Sequence, residues 1–216
     1  MSRAQTLAAV TAGRILPVIV LEDEASAAPL ADALVAGGLR CAEVTFRTAA
    51  AEAALKIMAN DERLLVGAGT VVTPGQVDRA VDAGAKFIVS PGFSADVVRR
   101  CAALGVAVFP GVATSTEIMA ALSEGIEVVK FFPAEQLGGL TMLAALAAPF
   151  TTVKFIPTGG ITAAHVPAYL AHPRVLAIGG SWMVNPKLIA AGDWAAITRL
   201  TAEAVDVAST QTIGKD

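Results

Sequence analysis

Apolar and polar positions follow one recurring order along the chain: an alanine-rich amphipathic segment, a glycine, and a short β-branched run. Ala31–Gly38, Val77–Gly84, Val97–Gly105 and Ile118–Gly125 all end in this way, and the last three glycines lie 21 and 20 residues apart. A glycine at this point fits the left-handed residue that ends many helices. The period therefore predicts compact strand–helix units.

The β-branched and apolar runs predict eight strands, each followed by a helical segment. They are expected at Ile15–Val20, Cys41–Phe46, Leu64–Gly67, Lys86–Val89, Val106–Phe109, Ile126–Phe131, Val153–Ile156 and Val175–Ile178. These runs are almost continuously apolar, which is typical of parallel strands buried on both faces. Capping-box spacing at Thr73–Gln76 and Thr114–Glu117 predicts two helix starts, and Asn185-Pro186 is expected to open the last helix.

Strict strand–helix alternation builds either a doubly wound open sheet or a closed (β/α)₈ barrel. Eight units in about 200 residues favour the barrel, and no GxGxxG motif follows the first strand. We therefore expect residues 1–216 to form a single-domain α/β TIM barrel, because no linker divides the chain. A short helix before Ile15 is expected to cover the barrel floor, and residues 209–216 are expected to form a frayed tail.

Composition narrows the class of protein. The chain is 55% hydrophobic, but Ile15–Leu21 spans only seven residues and an acidic run follows it, whereas a membrane-spanning helix needs about 20. The net charge of −3 and the lack of a basic cluster argue against a nucleic-acid partner. Cys41 and Cys101 are expected to be reduced thiols of a cytoplasmic protein. With only His165 and His172, no histidine-built metal site is expected.

Lys130 is the most informative polar residue. It follows two valines and precedes two phenylalanines, so its ammonium is poorly solvated and its neutral form is favoured. A neutral lysine can attack a carbonyl carbon and form a Schiff base. The alternative is a lysine that extends its amine to water. Lys86 and Lys154 fit that alternative better, because each lies at or near the start of its strand.

Glu43 and Arg47 share one face of the second strand. An ion pair between them is the simplest interpretation, but the i, i+4 spacing in a strand is about 13 Å. Glu43 beside Lys130 would instead supply a proton shuttle. Arg47 at the rim would suit a substrate carboxylate, because its planar fork binds one through two hydrogen bonds.

Two Gly-Gly turns, Gly159-Gly160 and Gly179-Gly180-Ser181, follow the seventh and eighth strands. Barrels of this kind commonly bind phosphate there through backbone N–H groups. The glycines could also serve only to make tight turns, but two pairs on neighbouring strands favour phosphate.

These segments together resemble the family of 2-keto-3-deoxy-6-phosphogluconate (KDPG) aldolases, whose members often also act as 4-hydroxy-2-oxoglutarate aldolases. The resemblance runs in order from Ile15 to Trp194. It is carried by Pro17–Val20, Glu43–Thr48, Gly67–Val71, Ser90–Gly92, Lys130–Glu135, Pro157–Ile161 and Gly179–Trp182.

The resemblance implies a class I aldolase that needs no metal or cofactor and is usually a homotrimer. It would cleave KDPG reversibly to pyruvate and glyceraldehyde 3-phosphate, with Lys130 as the Schiff-base lysine and Glu43 as the general acid and base. It implies that the substrate is bound by Arg47 and Thr70 at the pyruvyl carboxylate, Pro91 and Phe132 around it, Thr158 at the hydroxyl, and Gly159, Gly160, Gly180 and Ser181 at the phosphate.

Two alternative functions remain open from the residues themselves. A phosphosugar isomerase or epimerase would use Glu43 for enediolate chemistry, with Lys130 as electrostatic support. A catalytically silent barrel would bind a phosphorylated metabolite or serve as an oligomeric scaffold.

Overall fold

The computed structural model describes residues 1–210, which form nine strands and ten α-helices. The strands are β1 (Ile15–Ile19), β2 (Cys41–Thr45), β3 (Leu65–Gly69), β4 (Phe87–Val89), β5 (Ala107–Phe109), β6 (Gly111–Val112), β7 (Val128–Phe131), β8 (Lys154–Pro157) and β9 (Ile178–Gly180). The helices are α1 (Arg3–Ala12), α2 (Ala27–Ala36), α3 (Ala51–Ala59), α4 (Pro74–Asp82), α5 (Ala95–Ala103), α6 (Ser115–Ser123), α7 (Gly139–Ala147), α8 (Val166–Leu170), α9 (Pro186–Ala190) and α10 (Trp194–Ser209). Short 3₁₀ helices lie at Glu24–Ser26, Glu135–Leu137 and Ala163–His165.

All strand pairs are parallel and the sheet curls into a barrel. One run of neighbours is β5-β4-β3-β2-β1-β9 and the other is β6-β7-β8. Single bridges, Phe155 with Val175 and Thr158 with Gly179, join β8 to the chain at β9. β5 and β6 are consecutive parts of one strand, so the barrel has eight strand positions. The predicted TIM barrel is confirmed.

The fifth predicted strand is divided into two short strands, and the sequence analysis did not predict this division. Pro110 separates β5, which pairs with β4, from β6, which pairs with β7. Proline has no N–H for a sheet ladder, but its carbonyl still accepts a hydrogen bond from the Lys130 amide at 2.9 Å.

The eighth strand lies later than predicted. β9 begins at Ile178, the last residue of the predicted segment, and Gly179 and Gly180 pair with Leu16 and Pro17 of β1. The Gly179-Gly180 pair therefore belongs to the strand end, and the turn begins only at Ser181. Glycine has weak strand propensity, so its presence in a barrel strand was not apparent from the sequence.

The lower half of the barrel lumen is apolar, and α1 closes it. A buried inner cluster contains Leu16, Cys41, Phe87, Phe109 and Ile156 from the strands, together with Ala177 just before β9 and Val10 of α1. The predicted helix over the barrel floor is thus confirmed. Side chains of a strand alternate between faces. Glu43, two positions beyond Cys41 in β2, and Thr158, two positions beyond Ile156 and directly after β8, therefore lie one layer higher.

A second apolar layer lies between the strands and the outer helices. Thr73 and Thr114 form the predicted capping boxes of α4 and α6. Asn185-Pro186 opens α9, whereas the last helix is α10, which begins after the cap Asp193, so that prediction was wrong. Of the predicted tail, Ser209 ends α10 and residue 210 caps it, while residues 211–216 lie outside the described part.

Candidate active site

A buried ion pair crosses the upper lumen. Lys130 Nζ on β7 lies 3.3 Å from Glu43 Oε1 on β2, and the two side chains are only 7% and 1% exposed. With β5 and β6 counted as one strand, β2 and β7 are the second and sixth of eight, so they face each other across the barrel. The simple alternative of a Glu43–Arg47 pair is not what the structure contains. Lys86, by comparison, is exposed, and Lys154 Nζ donates to the Pro173 carbonyl near the surface.

Gly69 on the neighbouring strand β3 provides the room for this pair. Glu43 lies opposite Gly67 in the β2–β3 register. A Cβ atom on Gly69 would overlap Glu43 Oε1 and Cγ. Any larger residue at position 69 would therefore move the carboxylate away from the lysine.

The second carboxylate oxygen of Glu43 has a different environment. Glu43 Oε2 is buried and has no hydrogen-bond partner within residues 1–210. Buried carboxylate oxygens are almost always paired, so an unpaired one is a candidate for direct contact with a reacting group. On the other side, Lys130 Nζ lies 5.1 Å from the centroid of the Phe132 ring, at a cation–π distance.

A cavity of about 450 Å³ opens above Lys130 at the carboxyl ends of the strands. This is the end of a (β/α)₈ barrel at which active sites lie. Ten of the eleven residues singled out from the sequence line it: Arg47, Thr70, Pro91, Lys130, Phe132, Thr158, Gly159, Gly160, Gly180 and Ser181. The eleventh, Glu43, lies behind Lys130 in the lumen.

The cavity carries positive charge and free backbone donors. Arg47 is exposed at the rim and takes part in no ion pair within residues 1–210. The amides of Gly160 and Ser181 donate no hydrogen bond in the same part of the chain. Gly159 and Gly160 have φ of 106° and 73°, which only glycine adopts at little cost. A cation and unpaired N–H groups at one opening suit an anionic ligand.

Thr70 is the one β-branched residue with a left-handed backbone in the described chain, with φ of 59°. This conformation costs a residue with a Cβ about 1–2 kcal/mol. Strain of this kind is concentrated at functional sites, and Thr70 lies on the cavity wall, directly after β3.

The sequence analysis gave no individual site role to six further lining residues, although Gly179 was part of the second Gly-Gly turn: Val18, Val20, Ile161, Gly179, Val184 and Pro186. Val18 could have been found, because it pairs with Glu43 in the β1–β2 register and shares its height in the barrel. Val184 lies in the loop before α9 and Pro186 is the first residue of that helix, and no periodic pattern marks either as a cavity residue. His165 and His172 do not line the cavity, and burial together with Arg174 and Lys154 lowers the pKa of His172.

A (β/α)₈ barrel with a buried lysine beneath a pocket suited to anions fits the class of Schiff-base barrel enzymes that act on anionic substrates. Comparison with known proteins narrows this class. The family model for KDPG and KHG aldolases, where KHG is 2-keto-4-hydroxyglutarate, matches residues 7–200. The chain belongs to this family, which makes it an aldolase and so a carbon–carbon lyase, as the sequence predicted.

Individual relatives agree with the family match. A 2-dehydro-3-deoxy-phosphogluconate aldolase of Treponema pallidum is 53% identical over 195 residues, covering 90% of this chain and 93% of the relative. The KDPG aldolase structure from Legionella pneumophila, with pyruvate captured as a covalent carbinolamine, has a TM-score of 0.89 at 42% identity and covers 93% and 98% of the two chains. A Zymomonas mobilis KDPG aldolase structure with 3-phosphoglycerate gives 0.87 and 44%, covering 94% of each.

Among residues 1–210, no group of three or more His, Cys, Asp and Glu side chains is placed to hold a metal ion. In the same residues, no helix combines the length and the apolar character needed to cross a membrane.

Proposed function

We propose that this chain cleaves KDPG reversibly to pyruvate and D-glyceraldehyde 3-phosphate through a Schiff base on Lys130. The observation that carries the proposal is the buried contact of 3.3 Å between Lys130 Nζ and Glu43 Oε1 at the base of the cavity. The relatives' names, and the covalent pyruvate adduct in the Legionella structure, support the same chemistry.

The first stage is imine formation. Glu43 takes a proton from the Lys130 ammonium, and the freed amine attacks the C2 keto carbon of the substrate. One proton moves from the attacking nitrogen to the new alkoxide, which gives the neutral carbinolamine. The protonated Glu43 then gives its proton to the carbinolamine hydroxyl, which leaves as water. A protonated imine joins Lys130 to C2, and the carboxylate of Glu43 is restored.

The second stage is bond cleavage. Glu43, through its unpaired Oε2 or a water, takes the proton of the C4 hydroxyl. The C3–C4 electron pair moves into the imine to form an enamine, and glyceraldehyde 3-phosphate leaves. Glu43 then protonates C3, and water hydrolyses the resulting imine to pyruvate and free Lys130.

The cavity residues bind the two ends of the substrate. Arg47 and Thr70 would hold the pyruvyl carboxylate, with Pro91 and Phe132 packed around it. Thr158 would face the C4 hydroxyl. The phosphate would lie at the unpaired N–H groups near Gly159, Gly160, Gly180 and Ser181, and the 3-phosphoglycerate in the Zymomonas structure supports an anionic ligand of this kind.

Borohydride reduction in the presence of pyruvate tests the proposal. We expect a stable pyruvyl adduct on the peptide that contains Lys130, no adduct in Lys130→Met, and an unchanged adduct in the control Lys86→Met, which alters an exposed lysine. In Glu43→Gln, turnover of KDPG should fall about 10²- to 10⁴-fold, the usual contribution of one acid–base group, while the adduct still forms. Absence of an adduct on Lys130 in the unmodified enzyme would refute the Schiff-base role.

4-Hydroxy-2-oxoglutarate is the second substrate that we propose, with glyoxylate and pyruvate as its products. The family model itself joins KDPG and KHG aldolases. The shared part of the two substrates, C1 to C4, meets the same lysine, glutamate and arginine. A coupled assay of pyruvate release from both compounds and from the C4 epimer of KDPG measures the preference.

We also propose a cytoplasmic homotrimer. Cytoplasmic location is supported by Cys41 and Cys101, which are both buried, unpaired thiols. The trimer is supported by the family resemblance and by the exposed apolar side chains of Val72 and Met119. Light scattering should give three times the chain mass of 21.9 kDa, and a mass of one or two chains would refute it.

A further inference from the structure

A cluster of polar side chains lies directly behind the glycine turn that follows β8. It consists of Glu135 in the 3₁₀ helix after β7, Tyr169 in α8 and His165 between them in the chain. None of the three lines the cavity. The mechanism above uses none of them.

The backbone around Glu135 is fastened to the turn. The amides of Ala134 and Glu135 donate to the carbonyls of Thr158 and Gly159 at 2.8 and 3.1 Å. The approach at Gly160 is close as well, because an added Cβ atom there would lie 2.8 Å from Glu135 Cβ. The Gly159-Gly160 turn is therefore hydrogen-bonded to the backbone of Glu135 and packed against its side chain.

The carboxylate of Glu135 is itself held from the far side. The Tyr169 hydroxyl donates to Glu135 Oε1 at 2.5 Å, and His165 Nε2 lies 3.9 Å from Oε2. The imidazole of His165 accepts the Thr162 amide at 3.2 Å. Gly139 leaves space for the pair, because its Cβ would come within 3.1 Å of Glu135 Oε1 and 3.3 Å of the Tyr169 hydroxyl.

We propose that Glu135 and Tyr169 are positioning residues that fix the Gly159-Gly160 turn for the phosphate of the substrate. The inference rests on the proposed function and adds a cause of substrate selectivity to it. A turn with two consecutive left-handed glycines has little rigidity of its own. Its N–H groups point at an anion only if neighbouring groups hold the backbone. The backbone amides of Ala134 and Glu135 hold it at Thr158 and Gly159, and the Glu135 side chain ties that segment to Tyr169 of α8.

Burial and the neighbouring Glu135 carboxylate raise the pKa of Tyr169. The phenol is therefore protonated over the working range of pH and acts as a permanent donor.

Two substrates separate this role from general damage to the structure. KDPG carries its phosphate two carbons beyond C4, whereas 4-hydroxy-2-oxoglutarate has a carboxylate directly on C4 and does not reach the turn. In Tyr169→Phe, we expect KM for KDPG to rise roughly tenfold, a factor within reach of one lost hydrogen bond to a charged group. KM for 4-hydroxy-2-oxoglutarate and both kcat values should stay within about twofold of the parent enzyme, and inorganic phosphate should inhibit more weakly.

Two further variants complete the test. Glu135→Gln keeps an oxygen that can accept from Tyr169, so we expect it to retain most of the affinity that Glu135→Ala loses. Thr198→Val is the control, because it removes a hydroxyl that donates to the Ala33 carbonyl far from the cavity, and it should change neither KM. An equal change in KM for both substrates in Tyr169→Phe, or no change for KDPG, would overturn the inference. A failure of the proposed function is distinct, because it would appear as a missing pyruvate adduct in the unmodified enzyme.

Discussion

At the scale of single residues, the site is defined by two opposite charges that stabilise each other inside an apolar barrel. Taken as whole residues, Lys130 is 6% exposed and Glu43 is 1% exposed, and each would be costly to bury alone. Removing one member of a buried pair typically costs about 3–5 kcal/mol, whereas replacing both by neutral groups costs far less. In the mechanism that we propose, the fold and the chemistry thus depend on the same two side chains.

Stability measurements on single and double variants test this dependence. We expect Lys130→Met to lower the free energy of unfolding at pH 7 by about 3 kcal/mol while the chain still folds, because Glu43 loses its partner. Adding Glu43→Gln should recover most of that loss without restoring turnover. Urea denaturation followed by circular dichroism measures both. A double variant less stable than Lys130→Met would contradict the idea that an unpaired carboxylate causes the loss.

Gly69 provides a second prediction at this scale, because its side of β3 faces Glu43. In Gly69→Ala, the new methyl group would overlap the carboxylate, so we expect a loss of about 1–3 kcal/mol from overpacking and a fall in kcat as Glu43 moves.

Gly75→Ala is the matched control. Gly75 lies in the first turn of α4, and nothing lies within 4 Å of an added Cβ. This change should stabilise the chain by about 0.4–1 kcal/mol through the unfolded state. If Gly69→Ala and Gly75→Ala had the same stability and the same kcat, the Glu43 carboxylate would not need the space that Gly69 leaves.

At the scale of helices and strands, the sequence predicts what local chemistry determines. Gly38, Gly84, Gly105 and Gly125 all have the left-handed backbone expected of residues that follow a helix. The capping boxes at Thr73 and Thr114 likewise depend on residues three positions apart.

Features that depend on distant partners were missed or misplaced. β9 contains two glycines and is a strand because β1 lies beside it. Pro110 divides the fifth predicted strand into β5 and β6, although its carbonyl still accepts a hydrogen bond from the Lys130 amide of β7. The contact of Glu135 with Tyr169 joins residues 34 positions apart and had no signal in the sequence. The lining of the candidate cavity was predictable because the strand ends of a parallel barrel meet at one edge, so correct strand order placed its residues together.

The cap of α6 supplies a prediction at the scale of one helix. Thr114 Oγ1 accepts the Glu117 amide at 3.3 Å, and Glu117 Oε2 accepts the amides of Ala113 and Thr114 at 2.7 and 2.9 Å. Thr114→Ala should lower the free energy of unfolding by about 1 kcal/mol and leave kcat unchanged, because α6 contributes nothing to the cavity. Thr114→Ser keeps the acceptor and should be close to the parent. A fall in kcat with unchanged stability would contradict this separation.

At the scale of the whole molecule, the barrel makes one inner and one outer apolar layer from strands distributed over the full chain. Because β1 pairs with β9 and α10 packs on α2, no terminal piece can separate without opening the barrel. We propose that the chain is one domain and expect a single unfolding transition that has the same midpoint by fluorescence and by circular dichroism.

Two buried thiols are expected to make the free energy of unfolding depend on pH in the alkaline range. Burial raises the pKa of both Cys41 and Cys101 from 9.0 to about 12. The folded chain therefore keeps these protons between pH 9 and 12, while the unfolded chain releases them. The contribution of the two thiols to the free energy of unfolding is fully present below about pH 9. It should fall as the pH rises, because the unfolded state then binds fewer protons than the folded state.

Urea denaturation at a series of pH values from 8 to 11 measures this slope. Tyr169, whose pKa is also raised, contributes a slope of the same sign, so the informative quantity is the difference between variants. Cys41→Ala and Cys101→Ala each remove one proton from the balance, and each should flatten the fall in stability with pH, whatever its effect at pH 8. If both variants keep the parent's slope, the thiols are not the groups whose ionisation unfolds the barrel.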